Sequence, residues 1–253
     1  MKTHRVLHLS TWWGSKEPHP IVKSWLAAIA DARQRTQLVL KGLLPEEPIV
    51  ELLRSKYNLL IGSPTASHVR NNLNSVDPTH PRTMTVKGRN IGTGLPDKVE
   101  VTSTEIQSLD NTATIQKYID WSAEEGGHTI GTLLYHIAAI EVDYLYADVL
   151  QRDWSPEPSS FFAYEVRDEQ GRLTIVRGEH LGWYWERLNT VRQELLTAYF
   201  EMSLEDFRRP RQMPDYEVTP EWVLHHLCQH EAEHRAEIAA LRAGAEKYYG
   251  KPS

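Results

Sequence analysis

The chain has one cysteine, Cys228, among 253 residues, so no internal disulfide framework holds it together. No apolar run approaches the ~18 residues of a membrane span. The opening segment MKTHRVLHLSTWW lacks the continuous apolar stretch of a signal peptide. These absences predict a cytoplasmic protein with no membrane partner. Basic residues are also scarce, 28 Lys and Arg against 34 Asp and Glu. A net charge of −6 carries no footprint of a nucleic-acid binder. What is present is ordinary: 40% hydrophobic and 25% charged residues, enough to bury a core as one large domain or two small ones.

Hydrophobic periodicity predicts four amphipathic helices. The first spans 20–43, with Ile21, Trp25, Ile29, Ala32, Thr36, Val39 and Leu43 recurring at steps of three and four behind Pro20. The second, 129–150, follows a Gly-Gly turn with Thr129 as N-cap. Its stripe runs Ile130, Leu133, Ile137, Ile140 and Tyr144, and His136 adjoins it. A short hairpin is predicted where FFAYEV and RLTIV flank RDEQG. The third helix, about 179–201, places Leu181, Trp185, Leu188, Val191, Leu195 and Tyr199 on one face. The fourth, 220 to about 243, has Thr219 as N-cap, Pro220 at the first position and Glu221 at the positive dipole end. Val218 and Val223 are spaced for a hydrophobic staple. Four such helices point to a mainly α protein built on a four-helix bundle.

Residues 48–118 break the pattern. All eight tryptophans lie outside them. The block opens as a helix, PIVELLRSKYN, and ends in two β-leaning runs, RTMTVKGRN and DKVEVTSTEI, joined through IGTGLP. It reads as a small α+β subdomain inserted between helices one and two, where an exposed loop tolerates insertion. The expected division is 1–47 for the N-terminal segment and first helix, 48–118 for the insertion, and 119–253 for the remaining helices.

Four of the 12 histidines fall within 225–234. His230 and His234 continue the inward stripe of Val223, Leu227, Ile238 and Leu241. Imidazoles one turn apart have Cβ atoms ~5–6 Å apart, so both reach one metal at ~2.0–2.1 Å. The competing reading is a pair of hydrogen-bonded core histidines. HEAEH also matches the zinc-protease pattern H-E-x-x-H. The 19 residues after His234, however, hold no histidine or aspartate, and their two glutamates, Glu237 and Glu246, stand at the wrong spacing for the third ligand. A third ligand must come from upstream, and His136 on a facing helix is the best placed.

The stretches GGHTIGTLLYHIAAIE and TPEWVLHHLCQHEAEHRAEI resemble the DinB/YfiT-like metal-binding four-helix bundles. The resemblance covers about 20–47 and 119–243. It implies a divalent metal held by one histidine of the second helix and an H-x-x-x-H pair of the fourth, here His136, His230 and His234. After the last ligand this chain has Ala236 and Glu237 where the family usually has Gly and Gln, which leaves the ligands intact. The block RSKYNLLIGSPTASHVR with VKGRNIGTGLPDKVEVTSTEI resembles instead the small outer subdomain of MreB-type bacterial actin-like proteins. Ser63 and Arg70 depart from that family's glutamate and lysine. The phosphate-binding loops are absent, and GRNIGTG lacks a P-loop's context, so ATP binding is not expected.

Other side chains have milder readings. Glu231 is a weak candidate base, but it lies ~100° around the helix from His230, and a solvated rim carboxylate is the plainer expectation. Glu141 and Asp143 are expected to be solvated, Trp183 and Trp185 to be core, and Cys228 to be a packed thiol. His226, ~12 Å of rise from His234, cannot share an ion with it. Three imidazoles leave coordination positions open, as at catalytic sites. The resemblance implies thiol-dependent transferase or isomerase chemistry with a low-molecular-weight thiol as co-substrate, or metal-dependent hydrolysis, on a small-molecule substrate. Zinc or nickel is the expected metal, and a homodimer the implied assembly. The rival is a non-catalytic metal-binding protein whose insertion mediates assembly.

Overall fold

A computed structural model describes residues 17–43, 83–84, 99–100, 114–153 and 161–252. Among them the chain is mainly α. Helix α1 spans Pro20–Val39, α2 Ile130–Asp143, α3 Leu181–Phe200, the short α4 Leu204–Arg208, and α5 Pro220–Tyr249. Helix α1 packs chiefly on α5, and α2 on α3. No described helix is long and apolar enough to cross a membrane. Most of 48–118 and all of 1–16 lie outside the described residues, including the helix expected at PIVELLRSKYN. Within that block, β1 (Thr83–Met84) and β2 (Val99–Glu100) pair antiparallel, with Thr83 opposite Glu100. One strand comes from each of the two β-leaning runs.

The helix ends follow their capping chemistry. The Thr129 Oγ1 accepts from the Thr132 N–H at 3.0 Å, and Thr219 Oγ1 accepts from the Trp222 N–H at 3.1 Å, each satisfying a donor the helix leaves open. His180 caps α3 by accepting from the Trp183 N–H through Nδ1. Val218 and Val223 are both buried in one cluster, as a staple requires. The RDEQG turn forms: Arg167 and Leu173 make an antiparallel bridge, and Gly171 takes φ +76°, a conformation glycine adopts at little cost. A second two-stranded pair, β3 (Arg211–Gln212) with β4 (Glu217–Val218), leads into α5.

Five expectations need correction. The inward face of α1 is carried at its start by Val22 and Leu26, both fully buried, with Ile21 and Trp25 only half-buried beside them. The helix also ends at Val39 and continues to 43 as turns. Helix α2 has no solvent stripe, because 12 of its 14 residues are buried; it lies in the middle of the assembly, so its periodicity was a poor guide to facing. Its last turn, Tyr144–Val149, is π-helical, with Leu150 N–H bonding Leu145 O at 2.9 Å. Helix α5 runs six residues past 243, ending at Gly250 with φ 85°.

The core divides into two apolar clusters. One gathers Leu40, Ile130, Leu133, Tyr184, Leu188 and Ile238; the other gathers Val22, Ile29, Val142, Leu195, Val223 and Leu227. Tyr184 lies across Gly131, and its hydroxyl occupies the place a Cβ there would take. Gly131→Ala therefore overpacks a buried contact and should lower stability by about 1–3 kcal/mol. Adding Tyr184→Phe removes the clashing hydroxyl, which has no hydrogen-bond partner among the described residues, and should restore part of the loss. Thermal unfolding of the single and double variants checks this, and equal loss in both would show that the ring, not the hydroxyl, sets the limit.

Candidate metal centre

Between the two apolar clusters lies a polar layer, built with one charged side chain from each long helix. Arg33 of α1 donates through Nε to Glu231 Oε1 at 2.8 Å, through Nη2 to Glu141 Oε2 at 2.8 Å, and through Nη1 to the Leu188 carbonyl at 2.8 Å. Arg192 of α3 donates through Nε and Nη2 to both oxygens of Glu141, at 2.6 and 2.8 Å. Its Nη2 also reaches Glu231 Oε2 at 2.8 Å. Two guanidiniums and two carboxylates thus close a neutral square in which all four residues are at least 95% buried. Buried ions demand such pairing, since each unpaired one costs several kcal/mol.

The square corrects two sequence expectations. Glu231 and Glu141 are not solvated rim carboxylates but the acidic half of the layer. Burial alone pushes the Glu231 carboxyl up, yet Arg33 and Arg192 outweigh it and hold it at about 2. With an arginine on each oxygen, Glu231 lacks the basicity to serve as a general base.

The three histidines meet beside this layer. His136 comes from the centre of α2, while His230 and His234 come from successive turns of α5, His230 being the neighbour of Glu231. His230 Nε2 lies 3.1 Å from His136 Nε2 and 3.1 Å from His234 Nε2. Ring centroids are 4.5–4.9 Å apart, and the three ligand atoms all fall within 4.8 Å of one another. An imidazole nitrogen has one in-plane lone pair or one proton. His230 Nε2 can therefore make one good hydrogen bond, not two. Nitrogens each ~2.0–2.1 Å from one ion, at angles from right to tetrahedral, lie roughly 2.8–3.4 Å apart, and both short contacts fall in that interval. Among the described residues this group is close enough to hold a metal ion.

The electrostatics suit the same role. Burial, then the positive charge His234 would carry, hold His136 at about 4. Burial, then His234 and His136, hold His230 at about 3. Both rings are neutral at pH 7, the form that binds metal. His136 Nδ1 is buried with no hydrogen-bond partner among the described residues. His234 Nδ1 lies 3.2 Å from Glu237 Oε1 without meeting hydrogen-bond geometry.

The depressed values fix the sign of a pH effect. In the metal-free protein His136 and His230 bind protons near pH 4 and 3, but near 6.5 when unfolded. The unfolded state therefore holds more protons between these limits. The stability due to their neutral state is complete above pH 6.5 and is lost as pH falls toward 4 and then 3. Chelator-treated protein should lose more stability between pH 7.5 and 5 than a His136→Gln, His230→Gln variant, which has no such groups to titrate. Urea unfolding at the two pH values checks it, and parallel losses would contradict the burial of these rings.

The remaining sequence candidates lie nearby without joining the cluster. His226 stacks on Trp222, with ring centroids 5.0 Å apart and 4° between planes, and its centroid is 5.9 Å from that of His230. Cys228 is half-buried against the second apolar cluster, and burial pushes its thiol up to about 11, so it is an inert packing group. Trp183 is core, and Trp185 is half-buried. Asp143 is half-exposed, and burial beside Asp148 raises its carboxyl. Arg33 and Arg192 were not singled out from sequence. The only signal was two arginines within otherwise apolar helical stripes.

A helical assembly with a buried charge layer and three convergent imidazoles defines a class of helix-bundle proteins equipped to hold a metal. Residues 112–238 match the DinB superfamily, and the chain belongs to that superfamily. All three histidines lie inside the matched span, whereas the whole of α1, Arg33 included, precedes it. Residues 35–124 match the MreB/Mbl protein family. No curated protein matches the chain.

Proposed function

We propose that this protein is a divalent-metal-dependent enzyme in which His136, His230 and His234 are the ligands, acting on a small-molecule substrate with a low-molecular-weight thiol as co-substrate. The observation that carries the reading is the closeness of the three imidazoles, whose ligand atoms all lie within 4.8 Å of one another, with His230 Nε2 3.1 Å from each of the other two Nε2 atoms. A divalent metal held there supplies Lewis acidity, which favours the anionic form of a thiol or of water. The protein's own part is to present three imidazoles, to keep those of His136 and His230 neutral by burial, and to fix the α2–α5 spacing through the Glu141–Arg33–Glu231–Arg192 square.

Thiol transfer or isomerisation is favoured over hydrolysis by the state of Glu231. Hydrolysis gains from a carboxylate that takes a proton from water. The carboxylate beside the ligands is instead fully engaged by arginines. A thiol, more acidic than water, needs no such base.

Cobalt(II) makes the test optical. Cobalt-loaded protein titrated with a small thiol should develop a sulfur-to-metal charge-transfer band, with saturation at about one thiol per metal. Metal uptake without that band would overturn the thiol reading and leave hydrolysis. Failure to take up cobalt, zinc or nickel would overturn both.

A further inference from the structure

One imidazole away from the histidine cluster, a groove of about 530 Å³ opens between Tyr144, Tyr216, Glu217, Val218, Thr219 and Trp222. Its aromatic walls are not core. Trp222 and Tyr216 are about half exposed, at 47% and 52%, although exposed Trp is uncommon without a reason. One face of Trp222 is covered by His226, which leaves the other for solvent or ligand. Tyr144 lies beside both, 6.3 Å from Trp222 at 44° and 4.8 Å from His226, so the two rings form a notch.

The one charged side chain in the lining of this notch is acidic. Glu217 lines it, and no lining residue is basic. Behind it lies Asp148, whose Oδ1 accepts from the Tyr216 hydroxyl at 2.9 Å. Its Oδ2 is buried with no hydrogen-bond partner among the described residues, and the residue is 98% buried. The positive end of α5 also reaches this place, but Thr219 caps it, and Glu221, paired with Arg208, offsets it. Aromatic faces within ~6 Å attract a cation, and a buried carboxylate oxygen without a donor needs one.

We propose that the Tyr144–Tyr216–Trp222 groove binds an organic ammonium group, primary or methylated, and so holds the cationic end of a substrate presented to the histidine centre. The groove's ligand class stands on Asp148 and the three rings; only the link to catalysis rests on the metal reading. Accordingly, tetramethylammonium should shift the Trp222 indole N–H resonance, assigned through Trp222→Phe, and the shift should saturate. Its uncharged isostere tert-butanol should leave that resonance in place, as should acetate. Asp148→Asn keeps the acceptor for Tyr216 and should weaken tetramethylammonium by about tenfold, while Tyr144→Leu, read on the same Trp222 resonance, should abolish binding. Both variants leave the His cluster untouched. Equal response to tert-butanol would show a merely apolar groove, and a response to acetate would show an anion site at the helix terminus. Either outcome, or no shift at all, overturns the proposal. Metal content measured on the same samples keeps the two ideas separate: normal loading without cation binding removes this proposal alone, and cation binding without loading removes only its tie to catalysis.

Discussion

Glu231→Ala is expected to lower the unfolding free energy by about 3–5 kcal/mol, the usual cost of stranding a buried partner charge. Removal of this carboxylate leaves Arg33 Nε without its acceptor and Arg192 Nη2 with Glu141 alone, inside a layer with almost no solvent contact. Two guanidiniums would then face the single carboxylate of Glu141. Arg192→Ala should be comparably severe, since it strips three hydrogen bonds from the two glutamates. Replacing all four members by apolar residues of similar volume should cost far less than either single change, because no ion is then left unpaired. Urea unfolding followed by circular dichroism measures each. A loss below ~1 kcal/mol for Glu231→Ala is what a solvated surface pair gives, and it would refute the closed square.

His230→Ala should abolish stoichiometric metal. His230 Nε2 lies 3.1 Å from the Nε2 of each of the other two, so its loss leaves two imidazoles where three ligands are needed. Loss of a hydrogen-bonding partner behind a ligand costs roughly 10–100-fold in affinity, and losing a ligand costs more. Elemental analysis should find near one metal per chain in the wild type, a trace in His230→Ala, and full occupancy in His226→Ala. Added zinc should raise the melting temperature of wild type and His226→Ala, but not of His230→Ala, since a ligand stabilises only a fold that binds it. A wild type that acquires no zinc or nickel would reduce the three rings to packing residues.

Much of this was legible in the sequence, and the reasons differ by element. The caps at Thr129 and Thr219, the Gly171 turn and the i, i+4 histidine pair are local, and local chemistry is written in adjacent residues. His136 could be paired with them because facing helices of a bundle converge inward. The charge square could not be read. Its members stand 39 to 198 positions apart, and nothing within any one helix pairs its charge with the other three. Helix α2 misled for a related reason. An amphipathic stripe presumes a wet side, and this helix has none. At the start of α1, Ile21 and Trp25 offered as good a stripe as Val22 and Leu26, and only the packing of α5 against it decides between them.

Helix α1 is also severed, in the linear order of the chain, from every helix it serves. It ends at Val39, and the next long helix among the described residues begins at Ile130. Yet Arg33 grips α2 and α5 directly, and bonds the backbone of α3. Val22 and Leu26 share a cluster with Val223 and Leu224. Arg242 of α5 donates to the Val39 and Lys41 carbonyls. Attachment of this kind does not depend on the connecting peptide. The bond between α1 and its partners is written in noncovalent contacts, so the intervening residues are free to lengthen, be exchanged or be replaced by foreign sequence without the first helix losing its address.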